Sequence, residues 1–247
     1  MKKILLWVGV GLVAIIALAV AGWYFFLKSD PEPRAAIKET PLQTQAPTTS
    51  SGSSSGDATS SDSTSSTIDG TYTVKPGNAQ NFVGYRVTEK LVVNVVETTA
   101  TGRTDNVTGT FTVDGTTVKD VTVSADLRDL TSDSSFRDGR IHSSGLESDR
   151  FPTAKFVLTE PITLPKEPAA GETIEVNATG DFTLHGVTKH VTVPIQARWD
   201  GKDIQIVGHL PILFGDYNIT APTAPAVASV DDHAEMEFQL FFQKQAA

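Results

Sequence analysis

The chain contains no cysteine. That absence removes disulfides, thiolate nucleophiles, thiolate metal sites and the acylated cysteine of a bacterial lipoprotein together. Any membrane anchor must therefore be peptide. Basic runs are missing beyond the N-terminal flank, and the formal net charge over 247 residues is −9. Neutralising phosphates takes clustered Lys and Arg, so a nucleic-acid partner is excluded. None of the five histidines repeats at i, i+4 on a helix or i, i+2 on a strand, the spacings at which imidazoles converge on a metal. His185 and His190 flank a turn but lack a third ligand, and they read as turn histidines. No Gly-x-Ser-x-Gly elbow occurs; His142-Ser143-Ser144-Gly145 lacks the first glycine and the α/β setting. Asp231-Asp232 and the Glu235/Glu237 pair are the obvious carboxylates, and on a strand the latter two share a polar, solvated edge. Asn-x-Thr occurs at Asn106, Asn177 and Asn218, as expected by chance in a Thr-rich chain.

What is present begins with an uncharged apolar run, Ile4 to Leu27, interrupted only by Gly9, Gly11 and Gly22. As a helix it covers about 36 Å, enough to cross a hydrocarbon core of about 30 Å. Lys2 and Lys3 precede it, so the positive-inside bias places the N-terminus in the cytoplasm and the rest of the chain outside. A cleaved signal peptide is the rival reading, with small residues at Ala17-Leu18-Ala19 and Ala19-Val20-Ala21. The run continues through Trp23 to Leu27, where an interfacial aromatic belt belongs, and favours the retained anchor over residues 1–28. Both readings export the remainder.

Residues 29–67 form the next unit. From about Thr40 they are dominated by Ser and Thr and hold too little apolar surface to offset chain entropy. As a flexible coil this linker reaches about 35 Å and is expected to stand the following domain off the bilayer.

From Ile68 to the C-terminus the dominant period is two. Ile174, Val176, Ala178, Gly180, Phe182 and Leu184 alternate with Glu175, Asn177, Thr179, Asp181, Thr183 and His185, the pattern of a half-buried strand. The alternation resumes after His185-Gly186 with Val191, Val193, Ile195, Ala197 and Trp199, which makes a hairpin. Asp200-Gly201 marks another turn before Ile204, Ile206 and Leu210. Met236, Phe238, Leu240 and Phe242 form the last strand; Val83, Tyr85 and Val87, then Phe111 and Val113, then Val121 to Leu127, and Ala154 to Leu158 supply the others. About eight strands and no long helical period make residues 68–247 an all-β domain, either a sandwich or an up-and-down barrel. The stretch Thr131 to Pro152 breaks the alternation and is expected to be a short helical or irregular cap.

Several stretches together resemble the YceI family of polyisoprenoid-binding, lipocalin-like proteins. They are Val83-Gly84-Tyr85-Arg86-Val87, Thr108-Gly109-Thr110-Phe111, Ser132 to Asp138, Arg150-Phe151-Pro152-Thr153-Ala154-Lys155-Phe156 and, most specifically, Gly180-Asp181-Phe182-Thr183-Leu184-His185-Gly186-Val187-Thr188-Lys189. The resemblance implies an eight-stranded antiparallel barrel with a cap, holding a long isoprenoid or related lipid in its bore, without catalysis or cofactor. The expected ligand-facing residues are Tyr85, Phe111, Phe156, Phe182, Leu184, Trp199 and Phe238 on the apolar strand faces. Arg137, Asp138 and His185 are candidates at the mouth, where a guanidinium suits a polar headgroup. Family members are commonly exported through a cleavable signal, so an anchored form departs from that pattern. A filled-core interaction domain is the alternative of a different class, and a hydrolase built on converging carboxylates is a third.

Overall fold

The structure, a computed structural model, describes residues 31–37, 67–92, 97–222 and 227–246. The expected anchor, 1–28, lies outside the described residues, as does most of the expected linker. No helix among the described residues is long and apolar enough to cross a membrane.

The strands among the described residues are β1 (Gly70–Val74), β2 (Phe82–Leu91), β3 (Glu97–Thr104), β4 (Val107–Asp114), β5 (Thr117–Asp126), β6 (Thr131–Ser132), β7 (Thr153–Leu158), β8 (Ile162–Thr163), β9 (Thr173–Leu184), β10 (Val187–Trp199), β11 (Asp203–Leu213), β12 (Val227–Val230) and β13 (His233–Lys244). The one α-helix among them is α1 (Ser135–Arg140).

Eight strands close a ring in the order β1-β4-β5-β7-β9-β10-β11-β13, and β13 returns to β1. Every pairing is antiparallel. Closure removes the free edges that a sandwich would keep, and decides for the barrel. The strand segments outnumber eight because β2 continues the line of β1 along β13, pairing Phe82 to Gln239 where β1 leaves off at Val74 to Phe242. β3 and β12 flank β2, β6 flanks β3, and β8 adds to β5.

Local chemistry accounts for the turns. His185 and Gly186 close the β9–β10 hairpin as a two-residue loop with φ of 50° and 74°, the left-handed pair whose twist matches that of the flanking strands. Asp200 nucleates the β10–β11 turn by accepting from Lys202 N (2.9 Å) and Asp203 N (2.7 Å). In β5, Asp120 sits at φ 58° where the register with β4 shifts between Thr110 and Thr112. This bulge resets the alternation, so Val118 and Val121, three apart, both face the bore.

The expected cap is there. It consists of a 3-10 turn at Leu127–Asp129, β6, α1 and one π-helical turn at Ile141–Gly145. Ser134 caps α1 by accepting from Arg137 N (3.4 Å). At this cap end, near the His185-Gly186 turn and a 3-10 turn at Phe214–Tyr217, the barrel is plugged by Leu127, Ala154, Phe182, Leu184, Ile212, Tyr217 and Ala234. The far end carries the β4–β5 and β10–β11 hairpins. Its wall is built on Tyr72 stacked on Phe111 (centroids 5.2 Å), with Phe242 edge-on to Phe111 at 4.8 Å.

Candidate functional site: the barrel bore

Between the plug and the far end the bore holds a cavity of about 160 Å³, lined by the inner faces of β4, β5, β7, β9, β10, β11 and β13. Its wall is apolar except for Glu172. Inward-facing Ile174, Val176, Ile195, Ala197 and Ile206 remain only half-buried, as happens when a bore is incompletely filled.

Glycines make the room. A Cβ on Gly208 would stand 2.6 Å from Phe238 Cζ, and one on Gly180 would stand 2.7 Å from Phe156 Cζ. Each ring thus reaches over the glycine of the neighbouring strand, into space that a Cβ there would fill. The placement buries aromatic area and leaves the axis open.

Of the ten expected ligand residues, Phe111, Phe156, Phe182, Trp199 and Phe238 line this cavity. Trp199 also has a buried Nε1 with no hydrogen-bond partner. Tyr85, Leu184, Arg137, Asp138 and His185 do not line it. Leu184 belongs to the plug, because the cap packs on the last turn of β9. Tyr85 lies across Gly102 of β3; burial pushes its hydroxyl pKa up, against the pull of Arg137. Arg137 is held by Glu89 (2.9 Å) and Asp133. Burial opposes its charge, but the two carboxylates keep its pKa raised. Asp138 accepts from Ser132 N (2.9 Å) and Ser132 Oγ (2.5 Å), which ties α1 to β6. His185 Nδ1 lies 2.9 Å from the Tyr217 carbonyl, and its ring meets Phe151 at 4.3 Å, pinning the hairpin turn to its neighbours. These polar side chains hold the cap in place at the end remote from the cavity.

The other chemical candidates also have structural partners. His190 pairs with Asp181 at 3.0 Å. His142 bridges Ser148 Oγ (2.6 Å) and the Leu130 carbonyl (2.9 Å). Ser148 is only 1% exposed, so this Ser–His contact offers no surface to a substrate.

The match that decides the family runs over residues 72–242, from the first ring strand to the last, and is to the YceI-like domain. The chain belongs to the YceI-like family. A UPF0312 protein of Vibrio vulnificus is 28% identical over 143 residues, covering 54% of this chain and 72% of that protein. One of Shewanella denitrificans is 31% identical over 138 residues, covering 52% and 69%. A solved polyisoprenoid-binding domain from Saccharophagus degradans, implicated in plant cell wall breakdown, superposes with a TM-score of 0.55 at 18% identity, covering 70% of this chain and 98% of that one.

The YceI-like barrel also has a buried polar site on its outer wall. Glu237 faces outward from β13 and was expected at a solvated edge, yet it is 2% exposed. Arg86 Nε and Arg103 Nη2 each reach it at 2.8 Å. Residues 31–37, counted with the linker on composition, lie over this network. Arg86 donates to the Glu32 carbonyl and Arg103 to the Pro33 carbonyl, Thr101 Oγ1 accepts from Glu32 N (3.2 Å), Arg34 pairs with Glu235, and Gln205 donates to the Ala36 carbonyl (2.9 Å). Strand alternation locates the outward face but carries no information on whether a distant segment covers it.

Proposed function

We propose that this YceI-like barrel binds a long apolar ligand, a polyisoprenoid, quinone or related lipid, at the outer face of the cytoplasmic membrane, where it stores, delivers or senses that lipid without catalysis. The observation that carries this reading is an apolar bore left open by rings laid over Gly180 and Gly208. The Saccharophagus domain of the same fold, which is polyisoprenoid-binding, supports it. So does the uncharged run Ile4 to Leu27, long enough to keep the barrel at a membrane.

Size constrains the ligand. A cavity near 160 Å³ matches the engineered cavity of about 150 Å³ that takes up benzene. The bore therefore accepts one prenyl unit or one ring as it stands, and a longer chain requires the bore to widen. One five-carbon unit supplies up to about 4 kcal/mol from apolar contact before ordering costs. The same small volume is what favours the second reading, a filled-core interaction domain, since ligand sites usually exceed about 300 Å³.

Residues 31–247, which retain Trp199 as their sole tryptophan, decide between them. Native mass spectrometry before and after organic extraction is expected to show an extractable lipid-like mass, and added prenyl lipid is expected to change Trp199 emission. A clean apo mass with no uptake and no emission change would establish the interaction domain instead.

A further inference from the structure

We propose that residues 31–37 form a strap that holds the cap end of the barrel down on the bilayer, with Val92, Phe136 and Leu213 as the membrane-facing rim. The inference rests on the reading of Ile4 to Leu27 as a retained anchor. Pro31 follows Leu27 by four residues, a reach of at most about 14 Å. The chain is therefore fastened to the barrel wall almost as soon as it leaves the apolar run.

The direction of the strap sets the orientation. Glu32 meets Arg86 and Thr101, which share a cross-strand row with Glu235. Ala36 meets Gln205, whose row contains Phe241, farther along β13 toward the far end. The strap thus enters on the cap side and leaves toward the far side. All three large apolar residues most exposed among the described ones, Val92 at 54%, Phe136 at 49% and Leu213 at 53%, lie at the cap end. Val92 follows β2, Phe136 stands on α1, and Leu213 closes β11. Arg140 lies over the Phe136 ring at 5.5 Å, an aromatic body with a cationic head as suits a headgroup layer.

The Ser-rich stretch then has a different place from the one its composition implies. Its flanks are Ala36, bonded to Gln205 beside β13, and Thr67, whose carbonyl accepts from Lys244 at 3.0 Å. Both described flanks lie on one wall of the barrel, so on this proposal the spacer between anchor and barrel is the short piece before Pro31.

The absence of cysteine makes the test direct. Full-length Ser135→Cys, beside Phe136, and Lys202→Cys, at the far end, are labelled with an environment-sensitive fluorophore. They are reconstituted in phosphatidylcholine vesicles carrying a shallow nitroxide lipid. About twenty Gly/Ser residues, an r.m.s. reach near 25 Å, are inserted either after Lys28 or after Ser55. The expected result is severalfold stronger quenching at position 135 than at 202, relieved by the insertion after Lys28 and unchanged by the one after Ser55. Equal quenching at both labels in protein that withstands a carbonate wash overturns the orientation while leaving the anchor intact. Equal effects of the two insertions overturn the strap. Protein that washes off the vesicles overturns the anchor reading, and the inference with it.

Discussion

Glu237 shows how much a single outward-facing carboxylate can carry. Two guanidinium groups hold it at 2.8 Å, and each also donates to a strap carbonyl, Arg86 to Glu32 and Arg103 to Pro33. Removing its charge leaves two cations on a wall without their carboxylate, so Glu237→Gln is expected to destabilise the barrel by about 3 kcal/mol, read as a lower urea midpoint at unchanged slope. The tyrosines give a second residue-scale prediction. Burial pushes Tyr72 up to about 12, with a further rise from Asp69, and burial also raises Tyr85 and Tyr217. The unfolded chain gives up these protons near the ordinary value of 10.0, whereas the native barrel keeps them. Stability from this source is therefore complete below pH 10 and is lost as the pH climbs toward 12. Alkaline titration is expected to show phenolate absorbance from the three residues appearing late and together with unfolding. Neither environment is legible in the sequence, because period-two alternation names a face and these groups are set by what covers it from elsewhere in the chain.

At the scale of elements, the strand pairs were readable and the interruptions were not. The β9–β10 hairpin follows from unbroken alternation around His185-Gly186, and its register runs from Leu184–Val187 to Thr173–Arg198 as the pattern requires. The bulge at Asp120 was hidden, since nothing in Lys119-Asp120-Val121 announces a left-handed residue, and it moves Val118 onto the bore side. Glycine on an inner face was equally silent: Gly180 reads as a small member of the apolar row, although its role is to receive Phe156. The pair of Gly208 and Phe238 gives the testable case, because the two are direct cross-strand partners. In Gly208→Ala the new Cβ meets the ring at 2.6 Å and pushes it toward the axis. The barrel is expected to fold, with a loss of about 1–3 kcal/mol from overpacking, while uptake of prenyl lipid measured by native mass spectrometry disappears. Phe238→Leu, which relieves the contact and shortens the side chain, is expected to retain uptake.

The whole molecule is two half-barrels of different character. The cap half is plugged, with Phe182 edge-on to Tyr217 at 5.8 Å and Leu184 and Ile212 buried. The far half is hollow, and its inward side chains at Ile174, Val176, Ile195, Ala197 and Ile206 are short of full burial. A barrel fixes both halves through the same strands, so their average stability is shared, but local opening follows local packing. A ligand in the bore adds most of its contacts to the far half and meets the plug only at its inner face, Ala154 and Phe182. It stabilises states that keep the site intact by about 2.7 kcal/mol at one hundred times its Kd, which slows exchange through openings that destroy the site about 100-fold. Hydrogen exchange on lipid-loaded and extracted protein is therefore expected to differ at amides of Ile174 to Ala178, Ile195 to Trp199 and Ile204 to Ile206. Leu184 and the end of β11 at Ile212, which belong to the plug and do not line the cavity, are expected to exchange alike in both. Uniform slowing across both halves would mean that the plug and the bore open as one unit, and that the ligand holds the barrel from inside along its full length.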